Sequence, residues 1–127
     1  MTALTIDIPR ALWFTSNDLR GSHYKWSPKI KALRALGKRS VPPRSPRLNI
    51  VTLTVTVGYP TATRADPPNV AGTVAKALLD GMVDAGLIPD DDSRHIVATT
   101  YQRAPGKSAK GTHTMRFEFS EYVEKVA

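Results

Sequence analysis

The sequence predicts an α+β domain, a mixed β-sheet with helices packed on one face, and three observations lead there. Leu48–Val57 is rich in β-branched residues in alternation, as a strand requires. Asn69–Ala85 repeats apolar residues near helical spacing. The order strand, loop and helix, strand, main helix, strand, strand then layers helices on a sheet. A length of 127 residues suits a single domain over 1–127 with one modest core.

Taken in order, Leu4–Ile8 alternates apolar and polar residues and stops at Pro9, a short strand. The chain from Trp13 to Pro28 is irregular, with Trp13–Asp18 as a loop or cap. Lys29–Leu36 reads as a short basic helix ended by Gly37. Val41–Pro46 carries prolines that remove donors and fix φ, so it is a basic connection. Leu48–Val57 is a central strand closed by Gly58-Tyr59-Pro60. In the main helix Val70, Val74, Ala77, Leu78, Met82 and Ala85 make the buried stripe, and Gly86 closes it. His95–Tyr101 and Thr112–Phe119 are two strands joined by Arg103–Gly111 as a hairpin tip. Glu118–Val126 adds a short terminal helix. No internal repeat is present.

Composition removes several classes. With 41% hydrophobic and 23% charged residues the chain resembles folded soluble proteins. No apolar run approaches the roughly 20 residues of a membrane helix, and MTALTIDIPR does not resemble a signal peptide. A protein that stays in the cytoplasm of the cell making it is expected. The absence of cysteine excludes disulfides, thiolate zinc sites and cysteine nucleophiles.

A net charge of +7 favours a polyanionic partner, and its distribution says more than its size. Between Asp18 and Asp66 there is no acid, whereas Arg20, Lys25, Lys29, Lys31, Arg34, Lys38, Arg39, Arg44, Arg47 and Arg64 fall there. All but Arg64 are candidates for phosphate contacts on such a polyanion rather than for base readout, because no groove-reading motif accompanies them. The sign then reverses: Asp66, Asp80, Asp84, Asp90, Asp91 and Asp92 follow, against the lone cation Lys76.

On the main helix Asn69, Thr73, Lys76 and Asp80 are spaced to share one face opposite the apolar stripe. About 17 helical residues span roughly 25 Å, so Asp66 and the Asp90-Asp91-Asp92 run meet only if the chain folds back. If the acids converge, magnesium suits them, a hard cation held by few carboxylates plus water and phosphate. Lys76 would neutralise charge on the reacting phosphate or orient a carboxylate. The plainer alternative stays open: Asp66 and Asn69 as helix caps, Lys76 and Asp80 as a surface pair, and the triple Asp as a solvated turn.

The stretch Arg64–Ile96, RADPPNVAGTVAKALLDGMVDAGLIPDDDSRHI, resembles the RusA family of Holliday junction resolvases and their phage-borne relatives. That family's signature is an Asp-x-Asp-Asn opening, a helix carrying Lys and then Asp four residues on, an Ala-Gly close and a paired Asp. Asp66, Asn69, Lys76, Asp80, Ala85-Gly86 and Asp90-Asp91 match it in turn, over about a quarter of the chain. Two departures stand out: Pro68 replaces the second Asp of the opening, and about one extra turn separates Asn69 from Lys76. The lost ligand would have to be replaced by Asp80 or one of the triplet.

The resemblance implies a homodimeric, magnesium-dependent crossover-junction endodeoxyribonuclease of phage or bacterial origin, with manganese as a possible substitute. It would bind a four-way junction by shape and nick two opposing strands. Asp66, Asp80, Asp91 and Lys76 are then the catalytic set, and Asp66, Asp80, Asp90 and Asp91 the metal ligands, with Asn69 and Asp92 supporting. Asp84 is expected on the surface. His23, His95 and His113 lack metal spacing and read as surface or structural. Trp13, Phe14, Tyr24 and Trp26 interleave with Arg20 and Lys25; core packing suits Trp13 and Phe14, while Tyr24 and Trp26 suit core packing and stacking on unpaired bases equally. The competing expectations are a nuclease of broader taste for branched DNA, a non-catalytic DNA binder on the same fold, and a basic structural protein whose acids are caps.

Overall fold

The computed structural model describes residues 1–18, 27–62 and 64–123. Four strands and two helices follow in the order β1 (Thr2–Pro9), α1 (Ser27–Ser40), β2 (Val51–Gly58), α2 (Val74–Asp84), β3 (Ile96–Arg103) and β4 (Thr112–Glu121). Short 3-10 turns stand at Arg10–Leu12, Ser16–Asp18 and Pro67–Val70. The strands form one mixed sheet in the order β1-β4-β2-β3, antiparallel except for the parallel β2–β3 pair. The α+β architecture expected from the sequence is the one observed.

Period-two alternation sorts the faces of the sheet. Leu4, Ile6 and Ile8 of β1, Met115, Phe117 and Phe119 of β4, and Val51, Leu53, Val55 and Val57 of β2 are all buried on one face. Register keeps them together: Met115 is opposite both Ile6 and Val57, and Phe117 opposite both Leu4 and Val55. Leu33, Leu78 and Met82 from the helices complete the same core.

The helices meet backbone to backbone. A Cβ built on Gly37 would collide with the Leu78 carbonyl, and one on Gly81 with the Arg34 carbonyl and the Lys38 amide. Gly37 is therefore not the expected helix stop: α1 runs on to Ser40, because contact with α2 offsets the intrinsic cost of a helical glycine. Val41-Pro42 ends it instead. Arg34 clamps the pair with two bonds to Asp84, Nε to Oδ2 at 2.6 Å and Nη2 to Oδ1 at 2.8 Å.

The main helix is shorter than expected. Pro67–Val70 forms a separate 3-10 turn, and α2 begins only at Val74. Thr73, placed by sequence on the exposed face, is buried, its hydroxyl donating to the Phe14 carbonyl at 3.0 Å. The close at Gly86 is as expected: φ is +83°, with Gly86 N–H donating to Val83 O and Leu87 N–H to Met82 O. These are the two bonds of a Schellman motif.

Two further expectations are corrected. β3 and β4 are not a hairpin: among the described residues β3 pairs only with β2, in parallel, and β4 lies between β1 and β2. Parallel pairing needs a crossover, which α2 supplies, and it places β3 on the outside so that the chain must cross the end of β2 to reach β4. The terminal helix is absent over residues 118–123, where β4 continues to Glu121; its remainder lies outside the described residues. Among the described residues, no helix is long and apolar enough to cross a membrane.

Candidate functional site

Lys76 and Asp80 stand one turn apart on the solvent side of α2, while Ala77, Leu78 and Met82 are buried on its other side. The Schellman turn at Gly86 sends the chain back along the helix. Asp91 is thereby brought to Lys76, whose Nζ lies 2.5 Å from Asp91 Oδ2 and 3.0 Å from Asp80 Oδ1. Asp91 is the most enclosed of the three, with its side chain 15% exposed against 30% for Asp80 and 49% for Lys76. The hydrogen bond to Asp91, joined by that to Asp80, holds the Lys76 ammonium above its ordinary pKa despite partial desolvation.

The neighbouring aspartates are engaged locally. Asp90 Oδ1 accepts the Asp91 N–H at 2.7 Å. Asp92 takes the Arg94 N–H and guanidinium, whose hydrogen bond holds the Asp92 carboxyl below the usual range. Its main-chain carbonyl accepts from His95 and Ile96 and so delivers the chain into β3. His95 Nδ1 lies 2.7 Å from the Asn49 carbonyl, a structural contact.

Asp66 belongs to a different setting. It precedes the Pro67–Val70 turn, makes no side-chain cap bond, and lines a cleft of about 300 Å³ with Asn69, Arg64 and Tyr59. Asn69 Oδ1 faces the Ser16 hydroxyl at 3.5 Å, at the limit of a hydrogen bond. Burial raises the Tyr59 phenol pKa; Arg103 opposes the rise and Asp66 adds to it. The structure thus joins Lys76, Asp80 and Asp91, and leaves Asp66 with Asn69. Among the described residues no three His, Cys, Asp or Glu side chains are grouped to hold a metal.

Of the candidate phosphate contacts, Arg20 and Lys25 lie outside the described residues, as do Tyr24, Trp26 and His23. Lys31, Lys38 and Arg39 are exposed on α1, and Arg44 and Arg47 on the segment leading to β2, with Lys29 half-buried. Arg34 is exposed but tied to Asp84, so its charge serves the helix pair. Asp84, expected as an ordinary surface residue, is the other half of that clamp, and the Arg34 hydrogen bond lowers its pKa.

A further group was not visible in the sequence. Trp13 and His113 stack with ring centroids 3.7 Å apart and planes within 5°, and Tyr59 stands edge-on to both, at 6.1 and 5.5 Å. All three are half-buried and line the Asp66 cleft, whereas Phe14, next to Trp13, is core. The rings come from three distant segments, so no local pattern announces them; only the β1–β4 register, Ile8 opposite His113, brings two of these segments together. A scan with protein-family models finds no match, and no curated protein sequence matches the chain.

Proposed function

We propose that this protein is a magnesium-dependent endodeoxyribonuclease of the RusA kind, which resolves four-way DNA junctions by paired nicks. The observation that carries this reading is the convergence of Asp80 and Asp91 on one cation, the Lys76 ammonium, from two separate elements. Magnesium is held by one or two carboxylates with water and phosphate completing its shell, and Asp80 and Asp91 bring two carboxylates to the neighbourhood of one point. Asp80 and Asp91 would hold the ion, with Asp66 and Asn69 on the substrate side. Bound there, the ion would supply an activated water and charge stabilisation for phosphodiester hydrolysis. Lys76 would neutralise charge on the scissile phosphate, and the exposed cations of α1 and of Arg44 and Arg47 would hold flanking phosphates. Two symmetric nicks need two sites, so the working form is a homodimer, in a bacterial or phage-infected cytoplasm.

The test is cleavage of labelled junction, fork, flap and linear duplex with magnesium or manganese. Paired nicks confined to the junction are expected; equal cutting of linear duplex overturns junction specificity. A second reading, a branched-DNA binder without activity, is favoured by one observation: Lys76 already occupies the place between Asp80 and Asp91. Junction binding without cleavage in either metal would establish it.

A further inference from the structure

The Asp66 cleft does not stand alone. A second hollow of about 360 Å³ adjoins it, sharing Pro60, Thr61 and His113 and carrying Arg10 and Lys110 at its far side. The two form one groove. At one end are Asp66, Asn69 and Arg64, along the middle the rings of Trp13, Tyr59 and His113, and at the other end Arg10 and Lys110. Each hollow is at the lower end of the range for small-ligand sites.

We propose that this groove seats one unpaired nucleotide of the DNA strand, its base against the Trp13, Tyr59 and His113 rings and its phosphates toward Arg10, Arg64 and Lys110; this deepens the nuclease reading and rests on it.

Four observations support it. The rings are half-buried around an open cleft rather than sealed in the core, so aromatic surface remains for a ligand. Their geometry is fixed in advance: Trp13 is parallel to His113, and the Arg103 guanidinium lies 5.0 Å over the Tyr59 ring while Nη2 donates to the Thr61 carbonyl at 3.0 Å. The main chain is braced as well, by Arg10 N–H to Gly111 O at 3.0 Å and Ser108 N–H to Tyr59 O at 2.9 Å. Finally, His113 Nδ1 is a buried polar atom with no hydrogen-bond partner among the described residues. A rigid aromatic shelf beside cations is how proteins hold single strands without reading sequence, since every base has a π-face and every linkage a phosphate.

The experiment measures binding of the full chain, by fluorescence anisotropy, to a labelled single-stranded oligothymidylate and to the same backbone with abasic sites throughout. The unmutated protein is expected to bind the abasic strand roughly tenfold to a hundredfold more weakly. Trp13→Leu should lose the same factor on oligothymidylate and nothing on the abasic strand, Trp13→Phe should restore binding, and Lys110→Ala should shallow the salt dependence instead. The abasic comparison needs no variant and stands if Trp13→Leu fails to fold. Equal binding of the two strands overturns the shelf while leaving the nuclease reading intact. No binding to single strand or junction overturns both.

Discussion

Lys76 Nζ and Asp91 Oδ2 are joined at 2.5 Å across a loop that leaves α2 at Gly86 and returns beside it. Because Lys76 is half exposed, the pair adds little to stability, about 1 kcal/mol at most. Its raised pKa means that this contribution is present at neutral pH and lost only as pH climbs past about 10.4 into the shifted folded range. Asp91→Asn is therefore expected to abolish junction cleavage at almost unchanged urea midpoint and unchanged junction binding. A large drop in the midpoint would make Asp91 a structural residue.

Removing the internal cation should expose the affinity of the two carboxylates for an external one. Lys76→Met removes the cation that bridges Asp80 and Asp91, so magnesium should raise the melting temperature of this variant more than that of the unmutated chain. Equal rises would mean that the pair does not bind the ion.

The close approach of the helices at Gly37 and Gly81 sets a steric limit. Gly81→Ala places a methyl group against the Arg34 carbonyl and the Lys38 amide, neither of which is a flexible side-chain end. A loss of roughly 1–3 kcal/mol or more is expected from urea unfolding. Gly72, whose Cβ would meet nothing, is the control.

Gly86 tests the turn that aims Asp91. At φ +83° alanine is strained, so Gly86→Ala should cost about 1 kcal/mol, and Gly86→Asn less. If the turn positions Asp91, junction cleavage by Gly86→Ala should fall further than its loss of stability explains.

His113 gives the fold an acid-side dependence. Burial pushes its pKa below the ordinary value of about 6.5, so the unfolded chain takes up that proton first. The stability it contributes is present above about pH 6.5 and is lost as pH falls through the folded value. His113→Phe, which keeps a ring beside Trp13, should flatten this part of the stability profile measured by chemical denaturation. An unchanged profile would assign the loss to another group.

Much of the sheet was legible because alternation marks strands: Leu4–Ile8 and Leu48–Val57 lie within or largely over β1 and β2, and Thr112–Phe119 within β4. The fold-back of the chain after Gly86 was also legible, as a requirement for the aspartates to converge; it brings Asp91 to the Lys76–Asp80 pair but leaves Asp66 apart. Strand partners were not, because a Gly- and Lys-bearing loop looks alike whether it closes a hairpin or crosses over a strand. The reach of α1 was misread for a related reason. Gly37 stops a helix by local propensity, and only the Leu78 backbone lying against it makes glycine the residue that lets the helix continue. Trp13, Tyr59 and His113 meet through tertiary structure alone, so sequence treated each singly.

The place of β4 between β1 and β2 also orders events during synthesis. Among the described residues β1 has no sheet neighbour except β4, so a strand that ends at Pro9 waits for one that begins at Thr112. Until residues 112–121 have been translated, β2, α2 and β3 can assemble, but the inner edge of β2 and both edges of β1 stay open. Closure of the sheet is thus a late, long-range step of the kind that slows folding, and a chain halted before Thr112 leaves bare the two edges, one on β1 and one on β2, that β4 covers in the finished sheet.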